Sequence, residues 1–322
     1  MSQVYLKDEQ LARKTALLYI LSPASIFFSA FYTETFFCLF TLLGYYLLYK
    51  GDSLSYKNII LSSLAFAISG FIRSNGFFYL AIVGYQLLHK WLKLLNDDSQ
   101  SFKTKLFKTN LIFAVGGFIV IIMVLPYFLV MKKPYETYCI FLKENELISK
   151  PSFCQNKLPN PYSYIQDKFW DVGFLTSWVP RKAFFVIWGL PMLILMLIIL
   201  VKYLSKNFKN TVLLGIPRVL GYGSSEIEKD AFYMSKNIPT IIFTGVMFIV
   251  NAFFAHVNVS SRINSANPII YWYAAYAMSR VRDDSKQSEE NNFSWKNHWI
   301  LYYFIFYVVV GCTVFTNFYL FV

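Results

Sequence analysis

The segment FIRSNGFFYL, residues 71–80, places the polar sequence RSNG between two long apolar stretches. An arginine at the centre of a bilayer costs about 2.5–3.5 kcal/mol even on the insertion scale that gives the lowest penalty. Either RSNG is a turn at a membrane surface, or Arg73 has a buried anionic partner. A guanidinium in either position could bind phosphate through paired hydrogen bonds, with Asn75 beside it as a neutral donor.

A second polar segment, HVNVSSRINSANPIIYW at residues 256–272, places His256 and Arg262 in a short connection between apolar runs. Two arginines and a histidine at one membrane surface could hold a lipid phosphate. Arg73 and Arg262 are therefore candidates for binding phosphate, and His256 is a candidate polar helper. The alternative is interfacial anchoring, in which the long side chains reach water at the membrane surface.

The segment YSYIQDKFWDVGFL, residues 162–175, has the spacing of an amphipathic helix on a membrane surface. The apolar stripe comprises Tyr162, Ile165, Phe169 and Val172, and the opposite face carries Tyr164, Asp167 and Asp171. That acidic face is either solvated or binds a substrate rich in hydroxyl groups. In the second case Asp167, Trp170 and Asp171 would contact the substrate, with Glu34 as a further carboxylate.

Several signatures are absent from the sequence, and their absence narrows the chemistry. There is no G-x-x-x-x-G-K-[ST] phosphate loop, and GYGSS at residue 221 is too weak to count. No zinc-ligand spacing appears, and no Asp-x-Asp pair falls on the side where the arginines lie. We therefore predict no metal site and no cofactor, and expect any sugar donor to be a lipid phosphate.

The elements that must position these residues are apolar stretches, of which a window of about 20 residues finds about nine. They are residues 12–31, 34–49, 59–72, 77–89, 111–131, 183–203, 238–255, 268–278 and 299–320. Several are too short to cross a membrane alone, which favours bent or broken helices. The sequence predicts an all-α polytopic membrane protein in which residues 1–322 form a single domain.

Alternating these spans puts residues 1–14, 50–57, 90–108, 202–237 and 280–298 on one side. They hold 20 of the 30 Lys and Arg residues, so the positive-inside rule makes this side cytosolic. The predicted layout has cytosolic loops at residues 203–237 and 280–298. It has a non-cytosolic loop at residues 132–182 that carries the surface helix, and both arginines lie on that side.

Composition excludes two broad classes. With 56% hydrophobic and 20% aromatic residues in a chain of 322, an ordinary soluble domain is excluded. The net charge of +12 does not indicate a nucleic-acid partner, because the Lys and Arg residues sit in short segments between apolar runs.

Four blocks of the sequence resemble GPI mannosyltransferase 2, the enzyme family that adds the second mannose during assembly of glycosylphosphatidylinositol (GPI) anchors. The blocks are SPASIFFSAFYTETFF at residues 22–37, IRSNG at 72–76, YSYIQDKFWDVGFL at 162–175 and HVNVSSRINSANPIIYW at 256–272. They occur in the family's order and extend over most of the chain.

The resemblance implies a lipid-donor (GT-C type) glycosyltransferase of the endoplasmic-reticulum membrane, with its active face in the lumen. It would transfer mannose from dolichyl-phosphate-mannose to mannosylated glucosaminyl-phosphatidylinositol, forming an α1,6 bond with inversion. Such chemistry needs a carboxylate base and cations or dipoles that stabilise the departing phosphate. Besides these membrane lipids, a small membrane subunit is a possible partner.

The sequence departs from the family pattern at its start. The pattern has a first span and a luminal loop with a Trp-Asp dipeptide before the Pro-Ala-Ser motif, and residues 1–22 do not match it. We therefore expect the main catalytic aspartate to be missing and this chain alone to transfer no mannose, with Glu34 and Asp167 as candidate substitute bases. The alternatives are an N-terminally truncated, inactive form, a non-enzymatic membrane subunit, and a lipid or solute transporter, which should show internal repeats.

Cys139 and Cys154 share the predicted luminal loop, whereas Cys38 and Cys312 lie in apolar runs. Because the lumen is oxidising, we predict a disulfide between Cys139 and Cys154.

Overall fold

The computed structural model describes residues 1–141, 151–156, 159–221, 230–287 and 295–316. Within these ranges the regular structure is helical, with no β-strand, which confirms the predicted all-α class. The α-helices are α1 (Ser2–Leu6), α2 (Glu9–Ile20), α3 (Ser25–Ser29), α4 (Glu34–Tyr49), α5 (Tyr56–Ile72), α6 (Leu80–Leu95), α7 (Phe102–Tyr135), α8 (Pro161–Trp170), α9 (Ala183–Val212), α10 (Ile216–Val219), α11 (Ile238–Ile249), α12 (Ser260–Ile263), α13 (Pro268–Gln287) and α14 (Trp295–Thr316).

Four helical segments are long and apolar enough to cross a membrane, judged by length and composition. They are Phe102–Ile140, Pro180–Val212, Ser235–Phe254 and His298–Phe315. Helices α4 and α5 are apolar but shorter. The described residues thus have the helices of a membrane protein, and the number of nine spans and the GT-C arrangement stay predictions.

The observed helices match some predicted bounds and differ from others. Helix α4 covers the predicted residues 34–49. The predicted span over residues 12–31 is broken into two helices, because α2 ends at Ile20 and α3 begins at Ser25. Pro23 lies in the break, where it offers no backbone N–H and disfavours helical backbone in the residue before it.

Several helices continue into segments that the sequence assigned to loops. Helix α7 reaches Tyr135 and passes into a π-helical turn, Glu136–Ile140. Helix α9 reaches Val212 across a kink at Asn207, and α13 reaches Gln287. Lysine and arginine in these ends lower the local hydropathy but are good helix formers, so the apolar window ends before the helix does. Parts of the predicted loops, at 142–150, 157–158, 222–229 and 288–294, and the predicted end of the last span at 320 lie outside the described residues.

The RSNG turn is fixed by aromatic packing and by a close backbone contact. A 3-10 helix, Ser74–Tyr79, follows α5, and the Tyr79 ring stacks on Phe66 at 4.9 Å and on Phe243 of α11 at 4.8 Å. A Cβ on Gly76 would lie 2.5 Å from the backbone nitrogen of Gly70. Only glycine permits this approach, so the turn that carries Arg73 is held tightly against the end of α5.

A second close backbone contact positions Arg262. A Cβ on Gly189 of α9 would lie 1.8 Å from the carbonyl oxygen of Val257. The Ser260 hydroxyl donates a hydrogen bond to the Gly189 carbonyl at 3.1 Å. The segment leading into α12 therefore packs directly against the backbone of α9.

Candidate functional site

The structure brings both arginines onto one carboxylate. Nε of Arg262 donates a hydrogen bond to Oε1 of Glu34 at 2.7 Å, and Nη2 of the same side chain forms an ion pair with that oxygen at 2.6 Å. Nη1 of Arg73 donates a second hydrogen bond to the same oxygen. Arg73 therefore has both features that the sequence offered as alternatives, because it lies in a turn and has a buried anionic partner.

This arginine cluster, Glu34 with Arg73 and Arg262, is rigid and mostly dry. The Glu34 side chain is fully buried, and the side chains of Arg73 and Arg262 are 19% and 15% exposed. The Arg262 guanidinium lies 4.3 Å from the Phe27 ring and 4.8 Å from the Tyr32 ring. Cation–π contacts of this kind restrict the orientation of the guanidinium as well as stabilising it.

A cavity of about 1310 Å³ lies beside the cluster. Six of the predicted substrate-binding residues line it, namely Arg73, Asn75, Asp167, Trp170, His256 and Arg262. The rest of the wall includes apolar side chains from α7, the 3-10 turn and α11, among them Phe77, Phe78, Val124, Phe128 and Met247. Charged groups and an apolar wall in one cavity suit an amphiphilic ligand with an anionic head.

One wall of the cavity is α8, the amphipathic helix. The side chain of Asn160 caps its first turn, accepting from the backbone of Ser163 at 3.0 Å. The Tyr162 hydroxyl lies 2.8 Å from that of Ser74 and lines the cavity. The prediction that Tyr162 belongs to the apolar stripe facing the membrane is therefore wrong. The Asp167 carboxylate also lines the cavity and makes no ion pair or hydrogen bond among the described residues.

Asp171 and Val172 do not continue the helical pattern that the sequence predicted. Helix α8 ends at Trp170, and Asp171 has left-handed backbone geometry, with φ of 50°. The Asp171 carboxylate turns to Lys182, whose Nζ lies 2.6 Å away, and does not line the cavity. The hydrogen bond from Lys182 lowers the pKa of this carboxyl below its ordinary value.

His256 ties the end of α8 to the segment that leads to α12. Its Nε2 bonds the carbonyl oxygen of Trp170, which fixes the proton on Nε2, since a carbonyl only accepts. Its Nδ1 lies 3.4 Å from the Ser177 hydroxyl. His256 therefore lines the cavity and also holds a wall of it in place.

The structure joins Cys139 and Cys154 in the predicted disulfide, with Cα atoms 5.5 Å apart. The bond links the end of the α7 segment to a 3-10 turn, Ser152–Gln155. Phe153 of that turn lines the cavity, and its ring lies 5.2 Å from that of Tyr164 on α8.

Two further features of the described residues favour the larger cavity as the site. A smaller cavity of about 410 Å³ lies between α1, α2 and α13, but its charged side chains, Glu9 and Arg13, pair with each other at 2.6 Å. Among the described residues, no group of three or more His, Cys, Asp or Glu side chains could hold a metal ion. The larger cavity is therefore the candidate site.

A family model described as Mannosyltransferase (PIG-V) matches residues 1–322. The chain belongs to the PIG-V mannosyltransferase family.

Curated relatives of this PIG-V family chain carry matching names. A GPI mannosyltransferase 2 from Gibberella zeae is 27% identical over 88% of the chain and 63% of its own length. A GPI mannosyltransferase 2 from Drosophila melanogaster is 27% identical over 87% of the chain and 63% of its own length. A human GPI alpha-1,6-mannosyltransferase 2 is 26% identical over 82% of the chain and 55% of its own length. The chain thus spans less than two thirds of the length of these relatives, and no solved structure matches it.

Sequence reasoning missed two features of the site in this PIG-V family chain. It treated Glu34 as a contact for substrate hydroxyls, whereas the carboxylate is buried and bonded to both arginines. It also overlooked the contacts that join the walls, such as Tyr127 to Asn160 at 3.2 Å. Glu34 is separated from Arg262 by 228 residues, so no local spacing could have signalled that pair.

Proposed function

We propose that the chain binds dolichyl-phosphate-mannose in the large cavity. We further propose, against the expectation of an inactive chain, that Asp167 substitutes for the missing aspartate and that the mannose is transferred, in an α1,6 bond, to mannosylated glucosaminyl-phosphatidylinositol. The observation that carries this proposal is the pair of guanidinium groups in one wall of a cavity whose other walls are largely apolar. A lipid phosphate needs both features at once, since its head is anionic and its chain is apolar. The names of the relatives support mannose as the sugar and a GPI precursor as the acceptor.

In the proposed reaction, the acceptor hydroxyl oxygen attacks C1 of the donor mannose while the bond from C1 to the phosphate oxygen breaks. The hydroxyl proton passes to a carboxylate base, and the electron pair of the broken bond stays on the phosphate. Arg73 and Arg262 stabilise the charge that the phosphate gains. Among the described residues that line the cavity, Asp167 is the one with a carboxylate side chain, and Glu34 does not line it. We therefore assign the role of catalytic base to Asp167.

We further propose that the cavity opens on the luminal side of the endoplasmic-reticulum membrane. The disulfide supports this side, because such bonds form and persist in oxidising compartments and are rare in the cytosol. Residues of its 3-10 turn line the cavity, so the bond and the candidate site share one end of the molecule. The excess of Lys and Arg in the segments assigned to the opposite side agrees with the same orientation.

Donor binding is tested with the purified chain in lipid nanodiscs and a polyprenyl-phosphate-mannose probe. Arg73→Lys and Arg262→Lys keep the charge but lose the planar fork, so each should weaken binding about 10- to 100-fold, the range expected for a lost charge-assisted hydrogen bond. Arg181→Lys is the matched control, because Arg181 is 80% exposed and does not line the cavity. Equal donor affinity in all three variants would indicate that both arginines are interfacial anchors and do not bind the phosphate.

Transfer is a separate measurement, made in membranes from cells that lack the second GPI mannosyltransferase. The membranes receive the chain, labelled donor and acceptor lipid, and the product with two mannoses is counted. Asp167→Asn should lower transfer by about 10²–10⁴-fold, which is what general-base catalysis typically contributes, without changing donor affinity. If the wild-type chain binds the donor but transfers no mannose, its role is donor recognition alone, as in an inactive or non-enzymatic subunit.

A further inference from the structure

The charge of the arginine cluster is set by Glu34. Two guanidinium groups and one carboxylate meet within hydrogen-bonding distance, so the cluster has a net charge of +1. A cluster that only had to attract phosphate would bind more strongly with a charge of +2. The buried carboxylate therefore needs an explanation beyond attraction.

We propose that Glu34 makes the site selective for a singly charged phosphodiester over a doubly charged phosphomonoester. The inference rests on the proposed function, in which the donor is a phosphodiester of charge −1. When the bond from C1 to oxygen breaks, the electron pair remains on the phosphate, and the product lipid phosphate reaches charge −2 near neutral pH. A site of charge +1 balances the donor and leaves one negative charge of the product unbalanced, which favours its release.

The bonding of Glu34 supports this role. The contacts from both arginines go to Oε1, and Oε2 is buried with no hydrogen-bond partner among the described residues. The charge that the two oxygens share is therefore bonded on one side only, and the carboxylate acts on a bound phosphate through a mostly buried region, where charge interactions are strong. The carboxylate does not line the cavity, so it acts on the ligand through its charge and through the arginines.

Glu34 also leaves the arginines able to bind. A guanidinium has five N–H groups. Arg262 and Arg73 each donate one of them to Glu34 in a hydrogen bond, so both keep donors for a ligand. Glu34 is thus a positioning residue and a charge-tuning residue for the phosphate, and it does not act as the base.

The test compares two lipids with the same polyprenyl chain, a phosphate-mannose diester and a phosphate monoester, binding to the full chain in nanodiscs at pH 7.5. In Glu34→Gln the ratio of monoester to diester affinity should rise about tenfold or more, because a unit charge a few ångströms away is removed. Asp171→Asn is the control, since it removes a carboxylate that lies outside the cavity, and its ratio should equal that of the wild type. An unchanged ratio in Glu34→Gln, with both lipids still bound, would overturn the inference. Failure of the wild type to bind either lipid would overturn the proposed function itself.

A measurement on the wild type covers the case in which Glu34→Gln does not fold. The monoester loses its second proton with a pKa of about 6, so lowering the pH from 7.5 to 5 converts it from dianion to monoanion. Wild-type affinity for the monoester should rise as the pH falls, by up to about thirtyfold, the factor by which the monoanion is depleted at pH 7.5. The diester does not titrate in this range, so any change in its affinity with pH must come from the protein. His256 and Asp167 are the groups to consider, because they share the cavity with the two arginines. A monoester affinity that falls relative to the diester as the pH is lowered would refute selectivity for the monoanion.

Discussion

The arginine cluster and helix α8 face the same cavity but are built differently. The cluster is buried, held by ion pairs and charge-assisted hydrogen bonds from both arginines to one oxygen and by aromatic rings around Arg262. Helix α8 is mostly exposed and is joined to its surroundings by single contacts, such as those of Tyr162 and of the Trp170 carbonyl. Under the proposed function, the phosphate needs fixed charged groups whereas the acceptor lipid must enter and leave, and the two walls match these different demands.

The largest expected effect comes from breaking the cluster. Glu34→Leu leaves two arginines with little exposure and no carboxylate, and we expect a loss of about 3 kcal/mol in the free energy of unfolding, near the lower end for a broken buried ion pair. Asp167→Leu makes the same chemical change on α8, where the carboxylate is exposed and unpaired among the described residues, and should stay within about 0.5 kcal/mol. Thermal unfolding in detergent measures both. Similar losses in the two variants would remove the contrast between the walls.

The second effect concerns the disulfide beside α8. Replacing Cys139 and Cys154 together by serine opens a loop of about 15 residues, which costs roughly 3 kcal/mol of stability in the chain-entropy model. Most of this destabilisation should be local to α8 and should not affect the whole bundle. Limited proteolysis should therefore cut α8 sooner than in the wild type, while the thermal midpoint moves less than in Glu34→Leu. Cys312→Ser is the control, since it replaces a cysteine that lies outside this bond. Unchanged proteolysis of α8 in the double variant would show that the disulfide does not stabilise this wall.

For both the cluster and α8, the sequence predicts the residues but not their arrangement. The residues of both were found from polar interruptions in apolar runs and from helical spacing, because each signal is local. The meeting of Glu34 with Arg73 and Arg262 was not found, since it joins segments that are 39 and 228 residues apart. The end of α8 at Trp170 was also missed, because Asp171 takes left-handed backbone geometry where the apolar pattern continues to Val172.

Helix bounds follow the same logic. The start of α4 at Glu34 and that of α9 at Ala183 coincide with changes from polar to apolar sequence, and both were predicted. The far end of α9 was not, because Lys206 and Lys209 end the apolar window, whereas the helical segment extends to Val212 across a kink at Asn207, whose backbone is not helical. Hydropathy therefore predicts where apolar packing begins better than where hydrogen bonding stops.

A smaller effect tests how tightly the backbone holds Arg262. Gly189→Ala would place a methyl group 1.8 Å from the Val257 carbonyl oxygen, and the segment leading into α12 must move. Overpacking of this kind typically costs about 1–3 kcal/mol, and donor affinity should fall with it because Arg262 shifts. Gly84→Ala in α6 is the matched control: nothing lies within 4 Å of the added carbon, so it should be neutral or stabilise by about 0.5–1 kcal/mol. Normal donor binding in Gly189→Ala would show that the cluster tolerates movement.

The smallest expected effect concerns Asp171. The sequence predicts that its carboxylate contacts the substrate, whereas the structure pairs it with Lys182. The pKa of Asp171 lies below its ordinary value, chiefly because Lys182 donates a hydrogen bond to it. Its contribution to stability is therefore present above the unfolded pKa, about 3.9, and is lost as the pH falls through the lowered folded pKa. The thermal midpoint of Asp171→Asn should fall slightly below that of the wild type at pH 7, and the two should converge in strongly acidic solution. Because the Asp171 side chain is 60% exposed and Glu34 is fully buried, high salt should reduce the difference, whereas the effect of Glu34→Leu should persist in salt. A difference between wild type and Asp171→Asn that grew as the pH fell would contradict the pairing and restore Asp171 as a candidate contact for substrate.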